Sequence, residues 1–269
     1  MNDNSIHTFI VLAYKESEYL ENAIQSVLNQ EYPSKVIIGT STDNAYIRKF
    51  AEKYHLDVVV NPVSGGGNTG DFDFAWTHGS NEIITIAHQD DQYDPSFSKR
   101  VVEAYRKYPD SEIIFTDYYE IRNGQRVYHN TLLNVKKILL FPMKLLHSTK
   151  SVHWKRSCLR FGNAISCPAV SYIPKNIPFD RIFRQSEFVG VADWYGWYKL
   201  SGVKDKAFTF VAEPLMGHRV HEESHTSREI RSNLRTGQEI HMFEKFWPKP
   251  IAHMLSHFYS KAQNSNQVK

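Results

Sequence analysis

Over the first 125 residues, short apolar and β-branched runs alternate with segments whose apolar positions recur three and four residues apart. His7 to Ala13, HTFIVLA, reads as a buried strand. In the following ESEYLENAIQSVLNQ, the residues Tyr19, Leu20, Ala23, Ile24, Val27 and Leu28 share one helical face, with acids in the first turn and Pro33 beyond the end. Lys35 to Ile38 predicts a second strand, Asn44 to Tyr54 a helix, and Leu56 to Val60 a third strand ending at Asn61-Pro62. Gly65, Gly66, Gly67 and Gly70 form a turn before a helix expected to start near Asp71. Ile83 to Ile86 is a fourth strand, covered on both faces as in a parallel sheet. A helix from Pro95 through Tyr105 leads to SEIIFTDYYEI, another strand, and Asn123-Gly124 marks a hairpin turn. Strands alternating with helices at this pitch predict a mainly parallel α/β sheet with right-handed crossovers.

From about residue 130 the alternation gives way to aromatic-rich, irregular sequence, the kind of second half that covers a site built by the first. ISCPAVSYI predicts a strand pair or bent strand, VADWYGWYKLSG a helix ended by Gly202, and FTFVAEPLMGHRV a strand and turn. A closing helical region is expected from about Ser227.

Composition adds bounds. The 269 residues suffice for one large α/β domain, and 41% hydrophobic with 23% charged content is ordinary for a soluble protein. No run of eighteen apolar residues occurs and the start, MNDNSIHTF, has no signal-peptide pattern, so a cytoplasmic location is expected. Cys158 and Cys167 have no CxxC spacing and read as reduced thiols. A net charge of +3 is too weak to argue for nucleic acid, and it is localised: Arg219 to Lys269 holds eight Lys and Arg against five Glu.

The chemistry concentrates where the fourth strand ends, in IITIAHQDDQYDP. Ligands of open α/β sheets bind outside the carboxyl ends of strands, and Asp90, Asp91 and Asp94 packed there would repel one another unless a cation or proton shares the site. Oxygen ligands of this kind suit Mg²⁺ or Mn²⁺ bridging to phosphate. The alternative is an acidic loop capping the next helix, with Asp94 as N-cap and Pro95 as the first helical residue.

Taken in order, FIVLAYKESEYLENAIQSVLNQEYP, VIIGTSTDN, the Gly/Asn turn, IITIAHQDDQYDP, ADW and EPLMGHRVHEESHTS resemble the family 2 glycosyltransferases. The resemblance covers about residues 7 to 227. It implies a GT-A fold, with a nucleotide-sugar half over about 1–125, an acceptor half over about 126–227 and a C-terminal helical extension over 228–269. It also implies an inverting hexosyltransferase-like enzyme that takes a nucleotide-diphosphate sugar, UDP-linked, and a glycan or lipid-linked oligosaccharide acceptor in polysaccharide biosynthesis. The family's plan holds the diphosphate on a divalent cation, Mn²⁺ or Mg²⁺, bound to a D-x-D motif, and uses a carboxylate of the second half as base. By position Asp90 is the expected metal ligand, joined by His221 of the late R-x-H, and Asp193 is the expected base. Trp194 offers a sugar-stacking face for the acceptor. The donor is expected to meet Ala13, Tyr14, Glu16, Thr40, Ser41, Asn68, Asp71, His88, Asp91 and Arg219.

The sequence departs from the family pattern in several places. His88 stands where the first acid of D-x-D is expected; its imidazole can ligate a metal or bond a ribose hydroxyl. The second strand ends in GTSTDN where an acid often reads the base, leaving the hydroxyls of Thr40 and Ser41. Gly67 replaces an Arg before Asn68, and Ala192 replaces the first acid before Asp193. Asp71 and Asp193 are alternatively N-caps. His218, His221 and His225 raise a zinc alternative, disfavoured because a loop histidine is more often simply solvated. The altered motif also leaves open a catalytically silent carbohydrate-binding protein. A sugar-nucleotide-forming nucleotidyltransferase is the other enzymatic alternative, disfavoured because the first strand runs into AYKESEYL and not into a Gly-rich phosphate loop.

NVKKILLFPMKLLHS and FWPKPIAHMLSHFYSK each carry apolar residues among lysines. Both fit interfacial helices at a membrane, and both fit domain-covering or homo-oligomer-forming helices.

Overall fold

The computed structural model describes residues 5–63, 67–79, 81–180, 182–183, 188–221 and 234–264. The first half alternates as the sequence predicts: β1 (His7–Ala13), α1 (Leu20–Leu28), β2 (Lys35–Thr40), α2 (Ala45–Tyr54), β3 (Asp57–Val60), α3 (Gly67–His78) and β4 (Ile83–His88). A two-residue strand, β5 (Gln92–Tyr93), precedes α4 (Phe97–Lys107), then β6 (Ser111–Arg122) and β7 (Gln125–Val127). The predicted hairpin turn joins the last two, with Asn123 and Gly124 both at positive φ, 49° and 77°. The second half contains α5 (Thr131–Leu139), α6 (Phe141–Leu146), β8 (Ser148–Thr149), α7 (Val152–Ser157), β9 (Val170–Tyr172), α8 (Ala192–Ser201), β10 (Ala207–Arg219), α9 (Leu234–Glu244) and α10 (Lys249–Asn264).

One sheet runs β3-β2-β1-β4-β9-β6-β10-β5. β1 pairs parallel with β2 and β4, β2 with β3, and β6 with β10. β9 lies antiparallel between β4 and β6, so β3, β2, β1, β4, β6 and β10 all point the same way. Alternate residues of β1 face opposite layers. Phe9, Val11 and Ala13 join α1, α2 and α4 in one core, whereas Ile10 joins Phe72, Trp76, Trp194 and Trp197 in the other. Met242, Phe243 and Ala252 of α9 and α10 belong to this second core, so the closing helices complete the same hydrophobic layer as α8.

Several local expectations are corrected. α3 starts at Gly67, so Asp71 lies inside the helix and does not cap it. α4 starts at Phe97 behind Ser96, so Asp94-Pro95 is not its cap; the Asp94 carboxylate instead accepts from Tyr119 and pairs with Arg126, both at 3.0 Å. ISCPAVSYI forms a 3₁₀ turn, Cys167–Ala169, and one strand. FTFVAEPLMGHRV is one long strand whose register shifts on both sides of Pro214, a residue with no N–H for the ladder. The expected helical onset at Ser227, and His225, lie outside the described residues.

Candidate active site

β4 ends at His88, on the carboxyl edge of the sheet, and the chain then turns back as β5. β5 pairs antiparallel with β10, Gln92 opposite Gly217 and Tyr93 opposite Met216. This return sets Asp90 and Asp91 against the end of β10. Gly217 is required there, because a Cβ would lie 2.6 Å from the Tyr119 ring and 2.8 Å from Ile121. Asp91 is fully buried, and its Oδ1 accepts from His218 Nδ1 at 3.1 Å and from the Arg219 backbone N–H at 2.9 Å. Asp90 Oδ2 accepts from His221 Nε2 at 2.9 Å, and its backbone carbonyl accepts from Arg219 Nε at 2.9 Å. The fold thus sets His218 against Asp91 and His221 against Asp90.

Burial would push the Asp90 carboxyl up, but the His221 hydrogen bond and the imidazoles of His88 and His218 outweigh it and hold it below the usual range. For His218 burial pulls downward, and the adjacent Asp91 carboxylate more than reverses it, so its pKa is raised. His88, Asp90 and Asp91 bring ligand atoms within 4.8 Å of one another. Two buried atoms in this group have no hydrogen-bond partner, His88 Nε2 and Asp91 Oδ2. Since His88 Nδ1 is 3.5 Å from Asp91 Oδ2 and the ring stacks on Phe72, the other ring nitrogen is left as a fixed, unsatisfied donor atom. An unpaired imidazole nitrogen beside two carboxylates is a donor set that fits a divalent cation.

Asp193 lies in the first turn of α8, where the helix dipole favours a carboxylate. It is not the N-cap. Its Oδ2 accepts from Asn163 Nδ2 and its Oδ1 from the Trp194 N–H, both at 2.7 Å. Burial, then Asp193, then Asp91 push the Cys167 thiol well above its ordinary pKa.

The donor-side residues divide. At the ends of β2 and β3, Ser41 Oγ donates to Asp71 Oδ2 at 2.8 Å and Asn61 Nδ2 to Asp71 Oδ1 at 2.9 Å. α3 thus places an acid where the end of β2 has none. Thr40 is a correction: it is 1% exposed and its hydroxyl accepts from the Thr42 N–H, so it faces no ligand. Ala13 is buried at the end of β1, Tyr14 and Glu16 are exposed just beyond, and the side chain of Asn68 lies outside the described residues. The Arg219 guanidinium lies 4.4 Å over the Tyr19 ring, which also meets His221 edge-on.

Trp194 is the clearest correction. It is 1% exposed, its ring packs against Phe243 and Tyr259, and its indole donates to the Leu159 carbonyl, so it offers no face to a sugar. Sequence reasoning also missed residues. Gln89 clasps the backbone of Tyr14 through two amide bonds, 2.9 and 3.2 Å, joining the ends of β1 and β4. Tyr19 was absorbed into the apolar face of α1, and Asn163 sits in irregular sequence with no local signal.

Comparison with known proteins agrees with this architecture. The family model described as glycosyl transferase family 2 matches residues 8–162, more than half of the chain, and the chain belongs to that family. Its fold is that of the GT-A glycosyltransferases. S. aureus TarS superposes with a TM-score of 0.59 at 14% identity, over 97% of this chain and 44% of TarS, so the chain spans less than half the length of that protein. TarS 1-349 in complex with UDP-GlcNAc gives 0.58 at 14% identity over 97% and 73% of the two chains. The mannosyltransferase PcManGT from Pyrobaculum calidifontis, in complex with GDP-Man and Mn²⁺, gives 0.59 at 14% identity over 97% and 70%. A search of curated protein sequences returned no match.

Proposed function

We propose that this glycosyltransferase moves a sugar from a UDP-linked donor to a hydroxyl of a glycan or lipid-linked oligosaccharide, with inversion and with the help of Mn²⁺ or Mg²⁺. The observation that carries the reading is the cluster of His88, Asp90 and Asp91 beyond the carboxyl end of β4, held against the end of β10 by His218, Arg219 and His221, in a chain of family 2. Asp90, Asp91 and His88 would hold the cation, which neutralises charge developing on the departing diphosphate. His221 and Arg219 orient Asp90 through its carboxylate and its carbonyl. Asn163 and the Trp194 N–H fix both oxygens of Asp193, leaving it lone pairs to accept the proton of the acceptor hydroxyl as that oxygen attacks the anomeric carbon. Attack from the face opposite the leaving group inverts the configuration. The UDP and UDP-GlcNAc complexes of TarS support uracil as the base, and the Ser41-Asp71-Asn61 cluster is the polar group at the ends of β2 and β3 that would meet it.

Calorimetric titration of UDP with and without Mn²⁺ tests the donor side. Wild-type protein is expected to bind UDP more tightly with Mn²⁺, and Asp90→Ala to lose roughly tenfold to a hundredfold of that gain. Equal Mn²⁺-dependent affinity in the two proteins would remove Asp90 from the site.

A further inference from the structure

Charge and apolar exposure coincide on one part of the surface. Between Ile121 and Phe179 the chain has no Asp or Glu but ten Lys and Arg, of which Arg122, Arg126, Lys150, Lys155 and Lys175 pair with acids from outside the stretch, and after Glu244 it again has no acid. These two acid-free stretches contain α5, α6 and α10, and α10 lies against α5. Leu133 of α5, Leu140 between α5 and α6, Met143 of α6 and Ala252 of α10 point into the protein. Ile138, Phe141 and Leu145 point outward, 71%, 56% and 66% exposed, as do Ile251, Met254 and Phe258. The latter three recur three and four apart, an exposed apolar stripe beside the face that carries Ala252 and Ser256 into the protein. Lys144, Lys249 and Lys261 are exposed on the same helices.

We propose that this α5-α6-α10 face docks on an anionic lipid bilayer. Six large apolar side chains in water need a cover, and the charges around them select its nature. Two neighbouring segments with lysines and no carboxylates complement a negatively charged headgroup surface, whereas a second copy of the same face would bring like charges together. Among the described residues no helix is long and apolar enough to cross a membrane, so the contact is a lateral one. Its position adds a consequence. Asn130, the N-cap of α5, donates to Glu120 Oε2 at 2.7 Å, and Glu120 is in register with His218. The docking face therefore starts beside the carboxyl edge and would hold the cleft close to the bilayer. Docking itself does not depend on sugar transfer.

Vesicle flotation tests this with the full chain. Binding is expected to vesicles of about 30% phosphatidylglycerol in phosphatidylcholine, to fall at least about tenfold on pure phosphatidylcholine, and to weaken in high salt. Phe141→Glu with Phe258→Glu should abolish flotation with the melting temperature and UDP affinity unchanged. Lys144→Glu with Lys249→Glu, which leaves every apolar residue in place, should weaken it at least about tenfold. No flotation on anionic vesicles overturns the proposal. So does a dimer in sedimentation velocity that Phe141→Glu dissolves while vesicle binding is unaffected, since the cover is then a second copy.

Discussion

His7 shows how a polar residue is made part of a core. It is fully buried in β1, with Nδ1 2.8 Å from Ser34 Oγ and Nε2 2.8 Å from Thr85 Oγ1, and Thr85 continues to Ser171 on β9 at 2.6 Å. Neutral imidazole satisfies this chain, one nitrogen donating and the other accepting. Burial lowers its pKa to about 3. A depressed histidine pKa means that the unfolded chain takes up the proton first, so stability is lost as pH falls from about 6.5 towards 3, by on the order of 4 kcal/mol. His7→Gln is expected to flatten that part of the pH profile in urea unfolding; an unchanged slope would mean that another group dominates. The sequence marked His7 only as the first residue of a strand, because burial between sheet layers is a property of the assembled molecule. Asp90 and Asp91 were legible for the opposite reason: an apolar strand running directly into acids is a local pattern. Asp71 lay between the two. Its residue type was visible, but its meeting with Ser41 and Asn61 depends on how α3 crosses the ends of β2 and β3.

Among the elements, α7 is held by a buried ion pair. Lys155 Nζ donates to Glu112 Oε1 of β6 at 2.9 Å, and to the carbonyls of Val203 and Lys206 at 2.7 and 3.0 Å, which fixes the approach to β10. Burial pushes Glu112 up to about 7 against the pull of Lys155, and burial likewise lowers the Lys155 pKa. Such a pair costs desolvation from both ions, so removing one partner is worse than removing both. Lys155→Met and Glu112→Gln are each expected to cost roughly 3–5 kcal/mol, and the double variant clearly less than their sum, in chemical denaturation. Strict additivity would show that the two residues act separately. The strands and helices of the first half were legible because each has its own period, 2 or 3.6, within ten residues. β5 was not, being two residues long and fixed only by a partner far along the chain, and of ISCPAVSYI only Val170–Tyr172 form a strand. Trp194 failed for a related reason: its position beside Asp193 suggested a ligand face, but α8 turns that side towards α9 and α10.

At the scale of the molecule, both catalytic candidates depend on the same long-range events. β10 returns beside β6 and meets β5, which brings His218, Arg219 and His221 to the acidic turn. β9 and the 3₁₀ turn before it, which contains Cys167, insert beside β4. The order of motifs let the class of enzyme be read from the sequence, whereas Asn163, which bonds Asp193, lies in sequence with no short period, and the helical spacing of Tyr19 hides its contacts with Arg219 and His221. The central claim is that Asp193 removes the acceptor proton at a donor site it does not itself build. Radiolabelled sugar transfer or hydrolysis from a UDP-sugar with Mn²⁺, measured for wild type and Asp193→Asn alongside donor affinity in the same samples, tests it most directly. The account predicts a turnover loss of about a hundredfold to ten-thousandfold with donor affinity unchanged; wild-type turnover in the variant, or a loss explained wholly by weaker donor binding, would contradict it.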